Sequence, residues 1–282
     1  MLDPIWRDPA ADGWIKQFLR QLLKEPPMRI VLKQVIAALP MSVRLKVAWD
    51  AVARPWYLLG IFRAAQHAVE SRVPEITAIE FGVAGGKGLL ALQKYAKAVE
   101  SELGIKISVF GFDSGKGLTR HCGDYRDHPD RWMPGDFPMN EQWLRSRLDE
   151  RTKLILGPVA DTVPKFVQDV QTSPIGFLSM DLDLYSSTTE ALKVLTLPGK
   201  KTLKRVPVYF DDVALEWNHR FAGELLAIDE FNQANKSVKI DRWRGIEYDR
   251  AFPESSWVGR MYLAHDLDAI GTSEPDRPVE YL

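Results

Sequence analysis

The sequence predicts an α/β fold in which helices cover both faces of a parallel sheet, with a helical segment in front of it. From residue 76 onward, short apolar runs such as ITAIEFG, KISVFGFD and IGFLSMDLD alternate with segments of helical spacing. Strands buried on both faces have such continuous apolar runs, and their alternation with helices is typical of a doubly wound sheet. We therefore expect a helical extension over residues 1–74, a core domain over 75–270 and a loose tail over 271–282.

The elements follow in chain order. In the extension, prolines at positions 26, 40 and 55 separate short helices, because proline starts or ends a helix. Their apolar residues are Trp14, Phe18, Leu22, Ile30, Val31, Ile36, Leu58, Phe62 and Ala65. The core domain is predicted to have helices over 89–103, 164–170, 187–195 and 222–235. KLILG and VPVYFDD add buried strands, and VKIDRWRGI with SWVGRMYLA predicts a β-hairpin that closes the sheet.

One stretch interrupts this alternation. HCGDYRDHPDRWMPGDFPMNEQW is rich in prolines, glycines, aromatic residues and charges, and it is too long for an ordinary connection. It predicts a lid-like insertion near residues 119–148, in which Trp132, Met133 and Phe137 line a pocket for a second reactant. The aromatic residues of the N-terminal helices, Trp14, Phe18, Trp49, Trp56 and Tyr57, either cover a ligand, form a contact between two copies of the chain, or pack as simple core.

Composition limits the partners. The 37 Lys and Arg residues balance 38 Asp and Glu residues, so no global field recruits nucleic acid or an anionic membrane. The single cysteine, Cys122, excludes an intramolecular disulfide framework and a cysteine-rich zinc site, which suits a reducing, cytoplasmic setting. The sequence has no signal-peptide pattern at its start and no apolar stretch long enough to span a bilayer.

A glycine-rich turn lies between the first predicted strand of the core domain and the helix after it. The segment Glu80-Phe81-Gly82-Val83-Ala84-Gly85-Gly86-Lys87-Gly88 lacks both the G-x-G-x-x-G spacing of dinucleotide binders and the G-K-[ST] ending of a P-loop. Glycines there let a ligand approach the backbone. A nucleoside without a pyrophosphate fits this turn best; the alternative is that the glycines only make a tight turn.

Two further acids follow strands. Asp113 ends the KISVFGFD strand, where a carboxylate can accept hydrogen bonds from both hydroxyls of a ribose. The alternative role for Asp113 is to cap the loop after it. Asp161, in GPVADTVP, either contacts the edge of an adenine or caps a helix before Pro164.

The most informative feature is an acidic cluster at the ends of two predicted strands. Asp181 and Asp183 follow one strand, and Asp211 and Asp212 end the next. Four acids at one edge repel each other unless they bind protons or a cation, and ligands that are all oxygen favour Mg²⁺ over zinc. Acids at strand ends also cap helices, but Ser187 to Glu190 has the spacing of a capping box and explains the next helix without them.

These motifs resemble class I S-adenosylmethionine-dependent methyltransferases, in particular the macrocin O-methyltransferase-like branch. The resemblance extends over about residues 76–235. EFGVAGGKG is similar to the family's cofactor loop, FGFDSGKGL to its ribose-binding turn, GPVADTVP to its third motif, and MDLDLYSST with FDD to its metal segment. The cofactor-binding residues it implies are Glu80, Gly82, Val83, Ala84, Gly85, Gly88, Asp113, Ser114, Asp161 and Asp181.

The resemblance implies a Rossmann-like doubly wound sheet of about seven strands with the last strand antiparallel. It also implies Mg²⁺ bound by Asp181, Asp211 and Asp212, with Asp183 as the general base. The expected reaction is O-methylation of a hydroxyl on a small molecule of sugar or phenolic type. Two alternatives remain: a metal-dependent glycosyltransferase that uses its D-x-D sequence, and a protein that binds S-adenosylmethionine without chemistry.

Overall fold

The computed structural model describes residues 27–251 and 255–273. Helices α1 (Met28–Ala38), α2 (Val43–Ala48) and α3 (Pro55–Glu70) form the described part of the N-terminal extension. Pro55 is the first residue of α3, a position where its missing N–H has no helical partner to lose. The predicted helical residues Trp14, Phe18 and Leu22 lie outside the described residues.

The core domain contains seven strands. They are β1 (Glu75–Phe81), β2 (Lys106–Asp113), β3 (Thr152–Leu156), β4 (Ile175–Met180), β5 (Arg205–Phe210), β6 (Val238–Arg242) and β7 (Met261–Asp266). The described helices between and after them are α4 (Lys87–Leu103), α5 (Glu141–Arg145), α6 (Val159–Lys165), α7 (Tyr185–Leu192), α8 (Gly223–Ala234) and α9 (Leu267–Gly271). Among the residues described, none of these helices has the length and apolarity that crossing a bilayer requires.

The strands form one sheet in the order β3-β2-β1-β4-β5-β7-β6. The first five pair in parallel, whereas β7 is antiparallel to both β5 and β6. The predicted doubly wound, Rossmann-like sheet with an antiparallel last strand is therefore confirmed. The order reverses direction beside β1, which creates a crevice at the carboxyl ends of the parallel strands.

Helix α3 packs directly on the sheet. A Cβ atom on Gly60 would lie 2.1 Å from the ring of Phe177 in β4, so only glycine allows this close approach. Tyr57 is fully buried, and Trp56 stacks on Tyr209 with ring centroids 5.1 Å apart. Trp56 and Tyr57 therefore pack as core, which is one of the three roles considered for these aromatic residues.

Two helix starts differ from the prediction. Helix α6 begins at Val159, which places Pro164 inside it, and Asp161 is in its first turn and does not cap it. Helix α7 begins at Tyr185, so the predicted capping box at Ser187 is wrong. The fully buried Asp127 of the insertion instead accepts hydrogen bonds from the backbone N–H of Ser186 (2.8 Å) and from its hydroxyl (2.9 Å). A distant carboxylate thus satisfies the helix end.

Candidate active site

The carboxyl ends of β1, β2, β4 and β5 open into a cavity of 750 Å³. The glycine-rich turn and the end of β2 form one wall, and the loops after β4 and β5 form the floor. Residues of the insertion lie across from them. The residues that line the cavity include Gly82, Ala84, Asp113, Ser114, Arg120, Arg131, Trp132, Asp136, Phe137, Asp181, Asp183, Glu190, Asp211 and Asp212.

Gly82 brings the end of β1 against the loop after β4. Its φ is +84°, and a Cβ atom there would lie 1.7 Å from the carbonyl oxygen of Asp181. Only glycine fits both conditions. The turn therefore combines a tight connection with backbone that faces the cavity; the predicted approach of a ligand to this backbone stays a prediction.

Asp113 holds this turn in place. Its Oδ2 accepts hydrogen bonds from the backbone N–H groups of Val83 (3.0 Å) and Ala84 (2.8 Å), and its Oδ1 accepts one from Gly115 (2.7 Å). Ser114 also lines the cavity, and its hydroxyl donates to the carbonyl of Gly117 at 2.5 Å. The carboxylate at the end of β2 thus fixes two adjacent loops at the cavity wall.

Glu80 lies beneath the turn and is not among the residues that line the cavity. The hydroxyl of Tyr57 donates to its Oε1 at 2.6 Å, and Ser179 donates to the Tyr57 oxygen at 2.9 Å. Burial raises the pKa of Glu80 to about 8, although the hydrogen bond from Tyr57 opposes the shift. A Cβ atom on Gly88 would lie 1.8 Å from Oε1, so that glycine makes room for this carboxyl.

The predicted cofactor residues therefore divide into two groups. Five line the cavity: Gly82, Ala84, Asp113, Ser114 and Asp181. Five do not: Glu80, Val83, Gly85, Gly88 and Asp161. Val83 is buried against β2, while Gly85 and Asp161 are exposed. The residues of this second group thus lie behind or outside the cavity wall, and their predicted contacts with a cofactor stay predictions.

Three acids at the floor converge. Oxygen atoms of Asp181, Asp183 and Asp212, here called the acid trio, all lie within 4.8 Å of one another. Burial and the charges of neighbouring aspartates raise the pKa of Asp181 to about 8, that of Asp183 to about 7 and that of Asp212 to about 8. Such shifts are the expected result when carboxylates share a small buried site without a counter-ion.

Asp211, which the family resemblance implies as a metal ligand, lines the cavity but is not one of the three converging acids. Its Oδ1 accepts hydrogen bonds from the hydroxyl of Tyr209 (2.5 Å) and from Nη1 of Arg260 (3.1 Å). Asp183, the implied general base, lies in the place where Asp211 was expected. Its φ of +62° belongs to the left-handed region, which aspartate tolerates better than most residues.

A second buried acid supports the trio from below. Oε2 of Glu224, in α8, accepts the backbone N–H of Asp212 at 2.8 Å. Glu224 Oε1 and Asp212 Oδ2 are buried without a hydrogen-bond partner. Burial and the charge of Asp212 raise the pKa of Glu224 well above its ordinary value. An orphaned carboxylate oxygen in the trio is the feature expected of an incomplete coordination shell.

The insertion contributes one wall, as its length predicted. Trp132 and Phe137 line the cavity, whereas Met133 is 68% exposed and does not. The prediction for Met133 is therefore wrong, because its side chain points to solvent. Met133 lies in a turn that is closed by a hydrogen bond from its backbone N–H to Asp136 (3.0 Å).

Several residues at the site carry no local sequence signal. Tyr57 and Glu224 lie in helices and reach the site only through packing. Arg260 precedes β7 and meets Asp211 because β7 pairs with β5. Arg131 is an exception, because the sequence itself places this cation directly before Trp132 of the insertion.

No family model and no curated protein matches the chain. Among solved structures, it is similar to the calicheamicin methyltransferase CalS11, with a TM-score of 0.51 and 19% identity over 90% of this chain and 93% of that one. It is also similar to the O-methyltransferase NovP, with a TM-score of 0.49 and 20% identity over 77% of this chain and 90% of that one. The likeness to CalS11 shows that the chain has the fold of a Rossmann-like methyltransferase.

Proposed function

We propose that this protein is an S-adenosylmethionine-dependent O-methyltransferase, assisted by Mg²⁺, that acts on a hydroxyl of a small molecule. One observation carries the proposal. The glycine-rich turn held by Asp113 and the acid trio face the same cavity. A nucleoside site and a cation site on one cavity suit a reaction in which a methyl donor and a metal-oriented hydroxyl meet.

The cofactor suits the wall formed by Gly82, Ala84 and Asp113. The positive φ of Gly82 leaves backbone, rather than a side chain, at the cavity surface. Asp113 has acceptor capacity beyond its three backbone bonds, because a carboxylate has about four lone-pair sites. In this assignment Asp113 and Ser114 face the ribose, and Glu80 supports the turn from beneath.

Mg²⁺ suits the acid trio. All three side chains offer oxygen, the donor that this ion prefers, and Asp212 Oδ2 has no hydrogen-bond partner. A cation there would remove the repulsion that raises the pKa values of the trio. We assign Asp181, Asp183 and Asp212 as the metal site and Asp211 as a residue that Arg260 and Tyr209 hold beside it.

The chain's residues then act as follows. Bound S-adenosylmethionine supplies a methyl group on a sulfonium, and bound Mg²⁺ lowers the pKa of a coordinated hydroxyl. A carboxylate oxygen of Asp183 would accept the hydroxyl proton as the methyl group passes from the sulfonium sulfur to the hydroxyl oxygen, which leaves S-adenosylhomocysteine. Arg260 fixes Asp211 and keeps that acid out of the proton transfer.

The fold that the chain shares with CalS11 supports this proposal. The neighbour's name describes a methyltransferase, and the sequence motifs resemble the macrocin-like branch at the same four places that line or support the cavity. A glycosyltransferase is a weaker account, because it gives no shared role to Gly82 and Asp113. A purely binding protein is also weaker, since binding alone does not require three converging acids beside the nucleoside wall.

Calorimetry with adenosylhomocysteine and with UDP-sugars, each in the presence of Mg²⁺, tests the proposal. We expect adenosylhomocysteine to bind and UDP-sugars not to bind. Binding of UDP-sugars alone would establish the glycosyltransferase instead. Binding of adenosylhomocysteine without a methylated product across a broad library of hydroxyl compounds would leave the non-catalytic account.

A further inference from the structure

The insertion side of the cavity carries two arginines and two aromatic side chains: Arg120, Arg131, Trp132 and Phe137. Among the ion pairs formed by the described residues, none includes Arg120 or Arg131. Two positive charges therefore face the cavity without a carboxylate partner.

None of the acids on the same cavity forms an ion pair with these arginines, and each has another hydrogen-bond partner or assignment. Asp136 accepts the N–H of Met133, Glu190 pairs with Lys193 (2.6 Å), and Asp211 pairs with Arg260. Asp113 accepts backbone N–H groups, and the acid trio is assigned to a cation. The two guanidinium groups on the insertion side thus lack an ion-pair partner among the described residues, and an anion on a ligand can supply one.

Arg131 has donors to spare. Its Nη1 donates to the carbonyl of Glu216 at 3.0 Å, and its guanidinium carbon lies 5.0 Å from the ring centroid of Trp132. It lines the same cavity as Asp183 and Asp212. A guanidinium in this position can meet an anionic group on a ligand whose hydroxyl reaches Asp183.

The aromatic pair offers a surface for a ring. Trp132 and Phe137 have ring centroids 6.2 Å apart at an interplanar angle of 63°. Phe137 is 50% exposed and has a φ of +60°, a strained conformation for a bulky residue. An exposed ring in strained backbone contributes little to folding, and strain of this kind is concentrated where proteins bind ligands.

We propose, on the basis of the proposed function, that the methyl acceptor is a small aromatic hydroxy acid. Its ring packs against Trp132 and Phe137, its carboxylate pairs with Arg131 with Arg120 nearby, and its hydroxyl reaches Asp183. The acceptor is small because the 750 Å³ cavity holds the cofactor as well. A neutral sugar lacks the anion that the arginines of this wall would pair with.

The test uses two acceptors that differ only in charge, 3,4-dihydroxybenzoate and its methyl ester, with adenosylhomocysteine and Mg²⁺ present. We expect the wild-type protein to bind the acid at least tenfold more tightly than the ester. Arg131→Ala should weaken binding of the acid about tenfold, the change that ~1.4 kcal/mol produces, and that of the ester less than twofold. Arg131→Lys should restore part of the difference, because it keeps the charge.

Arg147→Ala is the matched control. Arg147 also stacks on a tryptophan, with its guanidinium carbon 4.2 Å from the centroid of the Trp143 ring, and it donates to the Trp143 carbonyl at 3.0 Å. It does not line the cavity. We expect its removal to change the affinity for neither acceptor.

Phe137→Gly separates ligand contact from folding. Glycine adopts the left-handed conformation freely, so the midpoint of thermal unfolding should stay level or rise. Affinity for both acceptors should fall, because both carry the ring. A fall in the unfolding midpoint together with unchanged affinity would mean that Phe137 serves the fold alone, and it would overturn the aromatic part of the proposal.

The outcomes are distinguishable. Failure of the wild type to bind adenosylhomocysteine overturns the proposed function, and this inference with it. If adenosylhomocysteine binds but the acid does not, or if acid and ester bind equally and Arg131→Ala affects both alike, the aromatic hydroxy acid is wrong and the methyltransferase proposal stands.

Discussion

Replacing Asp212 with asparagine should make the metal-free protein more stable and abolish its response to Mg²⁺. Burial, with the charges of Asp183 and Asp211, raises the pKa of Asp212 to about 8 from 3.8. A carboxyl whose pKa is raised by folding contributes full stability only below its unfolded pKa, and it loses that contribution as pH rises toward the folded value. At pH 7 the fold must therefore bind a proton that the unfolded chain does not hold.

The magnitude follows from that difference. At ~1.4 kcal/mol per pKa unit, the folded protein is destabilised at pH 7 by at most about 4 kcal/mol. Coupling with Asp181 and Asp183 spreads this cost over the trio, so we expect a gain of ~2 kcal/mol for Asp212→Asn. For a chain of this size, that corresponds to a rise of roughly 4–8 °C in the midpoint of thermal unfolding. The neutral amide preserves the shape of the side chain.

The assay is thermal unfolding at pH 7, once in EDTA and once in Mg²⁺. At a concentration about 100 times its Kd, Mg²⁺ stabilises the wild type by ~2.7 kcal/mol, and we expect it to stabilise Asp212→Asn hardly at all. Asp169→Asn, at an exposed acid, is the control and should behave as wild type in both solutions. Asp211→Asn should keep the Mg²⁺ response, since Arg260 already pairs with Asp211.

Two results would refute this reasoning. If Mg²⁺ raises the unfolding midpoint of Asp212→Asn as much as that of the wild type, the trio is not the metal site. If Asp212→Asn unfolds at a lower temperature than the wild type in EDTA, the carboxyl is better partnered than its burial and orphaned oxygen indicate.

Three further predictions concern other parts of the site. Gly82→Ala should lower the free energy of unfolding in urea by ~2 kcal/mol or more, because the new Cβ would meet backbone at positive φ, whereas Gly85→Ala should change it by less than ~0.5 kcal/mol. Asp113→Asn should raise the Kd for adenosylhomocysteine at least tenfold in calorimetry, since an amide offers only one acceptor oxygen to three N–H groups. Asp161→Asn, at an exposed position, is the control and should leave this Kd unchanged. An equal effect of the two substitutions would contradict our assignment. Burial, with the charge of His219, lowers the pKa of His128 below its ordinary 6.5. On acidification, this histidine therefore takes up its proton at a higher pH in the unfolded chain than in the folded protein. The wild type should therefore lose stability in urea as pH falls from 7 to 5.5, and His128→Gln should lose less; parallel slopes for the two proteins would contradict this prediction.

The sequence predicted the sheet because strands buried on both faces have unmistakable apolar runs. Val109, Phe110 and Phe112 in β2 are all buried, as a continuous run requires. The start of α7 was mispredicted because the local signal at Ser187 competes with a tertiary one. Asp127, 59 residues away in sequence from Ser186, satisfies the helix end instead. No window of local sequence contains that information.

At the site, sequence located the acids but not their directions. Asp211 and Asp212 are adjacent, and Asp212 is the one that joins the trio. Tyr209 at the end of β5 and Arg260, which precedes β7, both donate to Asp211. Glu80 shows the same limit. Its place beside the glycine-rich turn suggested a ligand contact, yet Tyr57 of α3 binds it beneath the turn. Side-chain direction at strand ends is decided by contacts distant in sequence.

The hydrogen bonds from Ser186 to Asp127 join the insertion to the loop that carries Asp183, only three residues earlier. A movement of the insertion therefore strains that loop, and a change at the acid trio strains the insertion in return. If Mg²⁺ binds the trio and an acceptor binds the insertion, as proposed above, these hydrogen bonds give the two ligands a direct physical link. By thermodynamic reciprocity, whatever factor the cation adds to acceptor affinity, the acceptor adds to cation affinity.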